Sequence, residues 1–300
     1  MTNKSNRDTG VIWRPYTQML NAAPPIPVVR AEGIYIYTPD GRRILDGISS
    51  WWVNIHGHNH PRILKARKEF QDRKKLEVHK SYFSPYLAAL SHNVAQLLPG
   101  DLNVSYLPNS GGESVEGALK MAYKYHDGKR RFVLHADISF HGKLLGSGSV
   151  TGSRETTYEF QKIPHVETFR YDDLKSVREQ VSKLRSKKGG SDVYALIVEP
   201  FNASSLRESS EEFLRGIREI CTHEKIVLIF DEVYTGWGKT GELFHFMRHE
   251  GLIPDILTSS KSFGGGKASI SLYVARDPIF RKAYDNLNDF NLHSTTYNAF

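Results

Sequence analysis

The sequence has 300 residues, 39% of them hydrophobic and 24% charged, which is typical of a globular protein with one large or two smaller domains. The net charge of +7 is spread along the chain, which argues against nucleic-acid binding, and a single cysteine excludes an internal disulfide. The polar N-terminus and the lack of a run of about 18 apolar residues argue against a signal peptide and a membrane helix, so we expect a soluble cytoplasmic protein.

The first predicted element is a small β-ribbon near the N-terminus. The stretches GIYIYT (33–38) and RRILDG (42–47) have the composition of short strands. The residues PDGR between them favour a turn. We therefore expect a ribbon that leads into a larger domain.

From about residue 90, short apolar runs alternate with helical segments. The predicted strands are NVSYL (103–107), RFVLHA (131–136), VYALIVEP (193–200), KIVLIFDEV (225–233), DILTS (255–259) and ASISLYVARD (268–277). One predicted helix begins at Glu113, a second covers 172–188, and a third begins at Ser209. In the third, Ser209 and Glu212 are spaced as a capping box. Continuous apolar strands between amphipathic helices predict an α/β fold, with a mostly parallel sheet and helices on both faces.

In such sheets, ligands bind beyond the carboxyl ends of the strands. The segment PNSGGES follows one strand and opens a helix. Two glycines at a helix N-terminus leave backbone N–H groups available to a phosphate, and the alternative is a plain glycine turn capped by Ser110.

A nucleotide is a poor fit for that phosphate. The runs GWGKT and GGGKA have Val233 and Lys261 where a P-loop requires its first glycine. A dinucleotide-binding glycine pattern after the first strand is also absent from the sequence. The phosphate would therefore belong to another kind of ligand.

Three other strand ends each carry one candidate residue. Asp231 either caps a turn or pairs with a protonated ring nitrogen. Lys261 is either a surface lysine or a desolvated amine that reacts with carbonyls. Phe140 either packs in the core or stacks on a ligand. Together with the phosphate seat, these are the parts that a pyridoxal 5'-phosphate (PLP) site requires.

Several segments resemble the class III, fold type I, PLP-dependent aminotransferases. FDEVYTGWGKTGELFHFMRHEGLIPDILTSSKSFGGG resembles the family signature, NSGGESVEGALKMAY its phosphate loop, and SFHGK its aromatic-His-Gly element. LHSTTYNAF resembles the loop that reaches the partner subunit's cofactor. WRPYTQM and SSWWVNIHGHNHP resemble the diaminopelargonic acid and ω-amino acid aminotransferases, whereas SFHGKLLGSGSVTGS resembles diamine and ornithine-type members.

The resemblance implies a role for each candidate residue. Lys261 would hold the PLP aldehyde as a Schiff base and move protons, and Asp231 would bind the pyridine nitrogen. Tyr16 and Trp51 would line the substrate pocket. The remaining cofactor contacts would come from Ser110, Gly111, Gly112, Phe140, His141, Glu199, Val233 and Thr296. The last of these would reach the other subunit of a homodimer.

The resemblance also implies a domain organisation and a reaction. Residues 1–60 would belong to a small domain and residues 61–300 would form the large PLP-binding domain, with the C-terminal part of the small domain lying outside this sequence. The implied reaction is ping-pong transamination from an amine or ω-amino acid to a 2-oxo acid. Aminomutase or decarboxylase chemistry, and a non-catalytic homologue acting as a dimerisation partner, are the alternatives. A metal site at HGHNH is not expected, because no acidic or cysteine partner completes it.

Overall fold

A computed structural model describes residues 12–75, 84–152, 161–285 and 293–298. The chain divides into two compact units, Met1–Lys75 and Leu76–Phe300. The domain boundary at residue 60 that the resemblance implies stays a prediction. Within the described ranges, the structure contains no helix of the length and apolar character that crossing a membrane demands.

The first unit contains a three-stranded antiparallel sheet in the order β1 (Arg30–Glu32), β2 (Tyr35–Tyr37) and β3 (Arg43–Leu45). The predicted turn between β2 and β3 is present, and the Gly41 amide donates to the Thr38 carbonyl at 3.0 Å. The sequence analysis missed β1, because its sequence RAE contains no β-branched or aromatic residue. A short turn labelled α1 (Ser49–Trp52) and a helix, α2 (Pro61–Asp72), follow.

The element α1 is a left-handed turn. All four of its residues have φ between +48° and +67°, a region that residues other than glycine rarely adopt. Two backbone bonds close it, from Trp52 to Ile48 at 2.8 Å and from Val53 to Ser49 at 3.0 Å. Strain of this kind is found most often at functional positions, and α1 contains the predicted substrate residue Trp51.

The second unit is built on a seven-stranded sheet in the order β4-β12-β11-β10-β7-β5-β6. Strand β12 runs antiparallel to both of its neighbours, and the other pairs are parallel. The predicted α/β class is therefore confirmed. The strands are β4 (Leu102–Tyr106), β5 (Phe132–Ala136), β6 (Val166–Phe169), β7 (Val193–Val198), β10 (Val227–Asp231), β11 (Ile256–Ser259) and β12 (Leu272–Arg276), and a hairpin is formed by β8 (Phe201–Asn202) and β9 (Arg207–Glu208).

Helices cover both faces of this sheet. Leu228 and Phe230 of β10 pack into one apolar core with residues of helices α6 (Leu174–Lys183) and α7 (Glu211–Glu224). Val227 and Ile229 pack into a second core with residues of helices α4 (Gly111–Tyr125) and α8 (Asp277–Tyr284). Both faces of the strand are buried, which explains its continuous apolar run. The helices are α3 (Pro85–Leu97), α4 (Gly111–Tyr125), α5 (Leu145–Ser149), α6 (Leu174–Lys183), α7 (Glu211–Glu224) and α8 (Asp277–Tyr284), with 3₁₀ turns at His245–Arg248 and Lys261–Gly264.

Two predicted helix ends are wrong by a few residues. The helix predicted over 172–188 ends at Lys183, because Arg185 pairs with Ser191 in a β-bridge. The predicted cap at Ser209 is instead at Ser210, whose Oγ accepts from the Phe213 amide at 3.2 Å. Ser209 is buried and donates its hydroxyl to Tyr171 Oη at 2.9 Å, so tertiary contact takes it out of the capping role.

Candidate active site

The carboxyl ends of five strands, β4, β5, β7, β10 and β11, lie at one edge of the sheet, because these strands all point the same way. The segments that follow them enclose a cavity of about 200 Å³, called here the strand-end cavity. Its lining comes from residues far apart in the sequence: Gly111, Gly112, Phe140, His141, Gly142, Glu199, Ala203, Asp231, Val233, Tyr234, Ser260 and Lys261.

The start of α4 offers two hydrogen-bond donors to this cavity. Ser110 Oγ accepts from the Glu113 amide at 3.3 Å, and Glu113 Oε2 accepts from the Ser110 amide at 3.2 Å, which completes a capping box. The amides of Gly111 and Gly112 donate to no acceptor in the part of the chain that the structure describes. They lie at the positive end of the helix dipole, so they can bind an anion.

The space beside these amides exists because the residues around it are glycines, which have no side chain. A Cβ atom on Gly111 would lie 2.7 Å from Val233 Cγ1. Gly142 has a φ of +124°, and a Cβ atom there would lie 3.1 Å from Gly112 Cα. Larger residues at Gly111 or Gly142 would fill the space beside the amides or displace the residues around it.

Asp231 is buried at the end of β10 and is held by three donors. Its Oδ1 accepts from the Val233 amide at 3.0 Å and from the Thr258 hydroxyl at 3.1 Å. Its Oδ2 lies 2.7 Å from Nδ1 of the buried His141. These bonds compensate for desolvation of the carboxylate and fix its direction.

Lys261 begins the 3₁₀ turn after β11, with a φ of +43°. This conformation is strained for a lysine, and strained backbone of this kind clusters at functional sites. Burial lowers the pKa of Lys261, while the charges of Asp231 and Glu199 act in the opposite direction. A lowered pKa increases the fraction of unprotonated, nucleophilic amine.

Glu199 fixes the backbone that carries Phe140. Its Oε2 accepts from the Phe140 amide at 2.9 Å and from Asn202 Nδ2 at 2.8 Å, and its Oε1 accepts from the Ala203 amide at 3.1 Å. Burial raises the pKa of Glu199 to about 7, and the charge of Asp231 acts in the same direction.

Four predicted residues are not among those that line the strand-end cavity: Tyr16, Trp51, Ser110 and Thr296. Tyr16 and Trp51 stack on each other in the first unit, with ring centroids 5.2 Å apart. Ser110 is an exposed helix cap rather than part of the cavity wall. Thr296 is exposed, and the hydroxyl of its neighbour Thr295 accepts from Asn109 Nδ2 at 3.2 Å.

Sequence reasoning missed four lining residues: Gly142, Ala203, Tyr234 and Ser260. Each lies within a few residues of a strand end, which was the available signal. Tyr234 comes three positions after Asp231, and its ring centroid lies 5.6 Å from Lys261 Nζ.

Comparison with known proteins identifies the family of this chain. The family model "Aminotransferase class-III" matches residues 17–299. The chain belongs to the class III aminotransferase family. Its members are PLP-dependent transaminases, so the predicted family, cofactor and reaction are confirmed at this level.

Three similar proteins represent the family. An adenosylmethionine-8-amino-7-oxononanoate aminotransferase of Buchnera aphidicola subsp. Baizongia pistaciae is 31% identical over 98% of this chain and 72% of its own length. An acetylornithine aminotransferase of Aquifex aeolicus is 35% identical over 85% of this chain and 66% of its own length. The structure of an (S)-enantioselective ω-transaminase from Thermomicrobium roseum matches with a TM-score of 0.88 and 25% identity, over 97% of this chain and 69% of that one.

The strand-end cavity of this aminotransferase fits PLP. A phosphate can bind to the amides of Gly111 and Gly112, and the glycines at 111, 112 and 142 leave space for it. Asp231 suits a protonated ring nitrogen, and Lys261 suits an aldehyde. Phe140 and Val233 line the cavity between these ends.

We expect Gly111→Ala to weaken PLP binding at least about tenfold and to destabilise the protein by about 1–3 kcal/mol, because its Cβ would collide with Val233. The measurements are cofactor titration and denaturant unfolding. Gly190→Ala is the matched control, since nothing lies within 4 Å of its Cβ position. Adding Val233→Ala to Gly111→Ala should restore part of the stability, and no recovery would contradict the steric explanation.

Glu199 should make the cofactor-free chain less stable as pH rises. The pKa of Glu199 is about 7 in the folded chain and 4.5 for an ordinary glutamate, so between these pH values the folded state holds a proton that the unfolded state has lost. Its stabilising contribution is therefore full below about 4.5 and falls by up to about 3 kcal/mol as pH rises to about 7. Glu199→Gln should make the loss of stability between pH values of about 5 and about 7.5 smaller in denaturant unfolding, and part of the loss should remain because burial also raises the pKa of Glu232 to about 7. An unchanged profile would contradict this.

Proposed function

We propose that this aminotransferase moves an amino group from an amine or ω-amino acid to a 2-oxo acid, with Lys261 and Asp231 as its catalytic residues. One observation carries the proposal. The lysine amine, the buried carboxylate and the anion-binding amides of α4 line the same cavity.

The names of the relatives support a donor of this class. The two curated relatives are named for 8-amino-7-oxononanoate and acetylornithine, and the solved relative is an ω-transaminase. The chain spans about two thirds of the length of these proteins. The donor and acceptor are therefore proposed by class and not as single compounds.

In the proposed site, the chain's own residues hold and orient the cofactor. When bound, PLP supplies an aldehyde that condenses with primary amines and a ring that withdraws electrons from the reacting carbon. The amides of Gly111 and Gly112 hold the phosphate, and Asp231 keeps a proton on the ring nitrogen. His141 and Thr258 hold Asp231 in the direction this needs.

Lys261 Nζ moves the proton on which the reaction depends. Its unprotonated amine takes a proton from the donor carbon that bears the nitrogen, and later returns one as a general acid. Desolvation in the cavity favours the neutral amine, while Asp231 and Glu199 stabilise the ammonium that forms. Both forms are therefore accessible to the same group.

The substrate side and the assembly are also proposals. We infer that Tyr16 and Trp51, which stack in the first unit, contact the substrate. We infer a homodimer in which Thr296 reaches the phosphate held by the partner subunit. The exposure of Thr296 supports this, since its hydroxyl is accessible to a second chain.

The test is a panel of amines and ω-amino acids offered to the PLP-loaded chain with pyruvate or 2-oxoglutarate. We expect the near-visible absorbance of the bound cofactor to fall on adding a donor and to return on adding a 2-oxo acid, with amino acid formed. Carbon dioxide release without amino acid would indicate a decarboxylase, and a migrated amino group an aminomutase. A chain that binds PLP and leaves every donor unchanged would indicate a non-catalytic homologue.

A further inference from the structure

A glutamate of the phosphate-binding helix holds the loop that follows Phe140. Glu116 is half-buried in the second turn of α4 and has no role in the proposed chemistry. Its Oε1 accepts from the amide of Gly146 at 2.7 Å and from the amide of Ser147 at 2.8 Å, both in the first turn of α5. One carboxylate oxygen thus joins α4, where the anion-binding amides lie, to α5.

The start of α5 depends on this carboxylate, because it has no cap of its own. The N-cap residue is Leu144, whose side chain carries no oxygen and makes no cap bond. Gly146 and Ser147 are buried, so their amides need an acceptor from the protein. Glu116 is that acceptor for both amides, which makes it a helix cap supplied by a different helix.

A glycine lets the carboxylate come this close. A Cβ atom on Gly146 would lie 2.6 Å from Glu116 Oε2, so a larger residue there would push the carboxylate away. The contact between α4 and α5 therefore needs a glutamate on one side and a glycine on the other.

Further bonds connect α5 to the wall of the strand-end cavity. Thr151 is buried after α5, and its Oγ1 accepts from the His141 amide at 2.9 Å. The same hydroxyl donates to the carbonyls of Gly142 at 3.0 Å and Ser147 at 3.1 Å. Since His141 and Gly142 line the cavity directly after Phe140, the bonds of Glu116 to α5 also restrain this part of the wall.

We propose that Glu116 is a positioning residue, which sets the separation between the amides that hold the cofactor's phosphate and the Phe140 ring that faces the cofactor's pyridine ring. The phosphate and the pyridine ring belong to one small molecule. Both contacts can form without a further ordering cost only if α4 and the Phe140 segment are already correctly spaced. The inference rests on the proposed PLP site and adds a residue that prepares it.

The test compares Glu116→Ala with Glu116→Gln in the full chain. Cofactor-free protein is titrated with PLP and followed by near-visible absorbance and by the circular dichroism of the bound cofactor. In Glu116→Ala, we expect the dissociation constant to rise about tenfold and the dichroism at saturating PLP to fall, because binding then has to order the loop. Glu116→Gln keeps an oxygen with two lone pairs and should bind PLP within about threefold of wild type.

The matched control is Glu219→Ala, which removes an exposed glutamate of α7 outside the strand-end cavity and should leave both readouts unchanged. Gly146→Ala tests the contact from the other side and should weaken PLP binding by a similar factor. Combining it with Glu116→Ala should cost no more than either change alone, because both remove one interaction. If Glu116→Ala does not fold, Gly146→Ala takes its place in every measurement.

The outcomes separate this inference from the proposed function. An unchanged dissociation constant and dichroism in Glu116→Ala overturn the inference even if the variant is less stable, because a purely structural bond would affect stability alone. If borohydride reduction and mass spectrometry find no PLP on Lys261 of wild type, the proposed function fails instead. Hydrogen exchange of the amides at 140–142 in the cofactor-free chain then tests the inference by itself. Exchange should be about tenfold faster in Glu116→Ala than in wild type, and equal rates overturn the inference.

Discussion

Lys261→Ala should abolish transamination, lowering the turnover rate by about 10⁴-fold or more, because it removes both the nucleophile and the proton carrier. The variant should also lose covalent attachment of PLP. Non-covalent binding should partly survive, since the amides of Gly111 and Gly112 and the Asp231 carboxylate are untouched. Turnover by stopped-flow or coupled assay and PLP retention on dialysis measure the two effects.

The matched control for this variant is Lys188→Ala. Lys188 is an exposed lysine in the segment between α6 and β7 and lies outside the strand-end cavity. Its replacement should change neither turnover nor cofactor attachment. A Lys261→Ala chain that transaminates at the normal rate would show that another group performs the chemistry.

Asp231→Asn should lower turnover by about 10²–10³-fold, because the neutral amide no longer stabilises a protonated ring nitrogen. The amide keeps an acceptor for the Val233 amide or the Thr258 hydroxyl, so the fold should survive. PLP binding should weaken, since one charge-assisted bond is lost. Steady-state kinetics and PLP titration measure these effects.

Asp255→Asn separates the catalytic effect from the cost of altering a buried acid. Asp255 is also buried, accepts from the Leu228 amide at 2.8 Å, and pairs with Arg218 at 3.0 Å. It precedes β11, at the sheet edge opposite the cavity. Its variant should lose stability and keep its turnover rate. If both variants lose the same activity, the special role of Asp231 is wrong.

Most of the fold could be predicted from the sequence, because buried parallel strands read as continuous apolar runs. KIVLIFDEV and VYALIVEP predicted β10 and β7, and both are buried throughout. The helix ends were harder to predict from the sequence, because Ser209 bonds to Tyr171 and does not cap the helix. Strand β1 contains no β-branched or aromatic residue to mark it, and the antiparallel direction of β12 depends on pairings that no local pattern encodes.

For the candidate site, the sequence by itself determined the chemistry, because the residue types after each strand were those a PLP site requires. It placed Lys261, Asp231, Phe140 and the α4 glycines at strand or helix ends. Only the tertiary structure decided which groups share the cavity, because strand order brings together segments far apart in the chain. Tyr234 became visible only there, since the distance from the Lys261 amine to its ring is set by packing and not by sequence spacing.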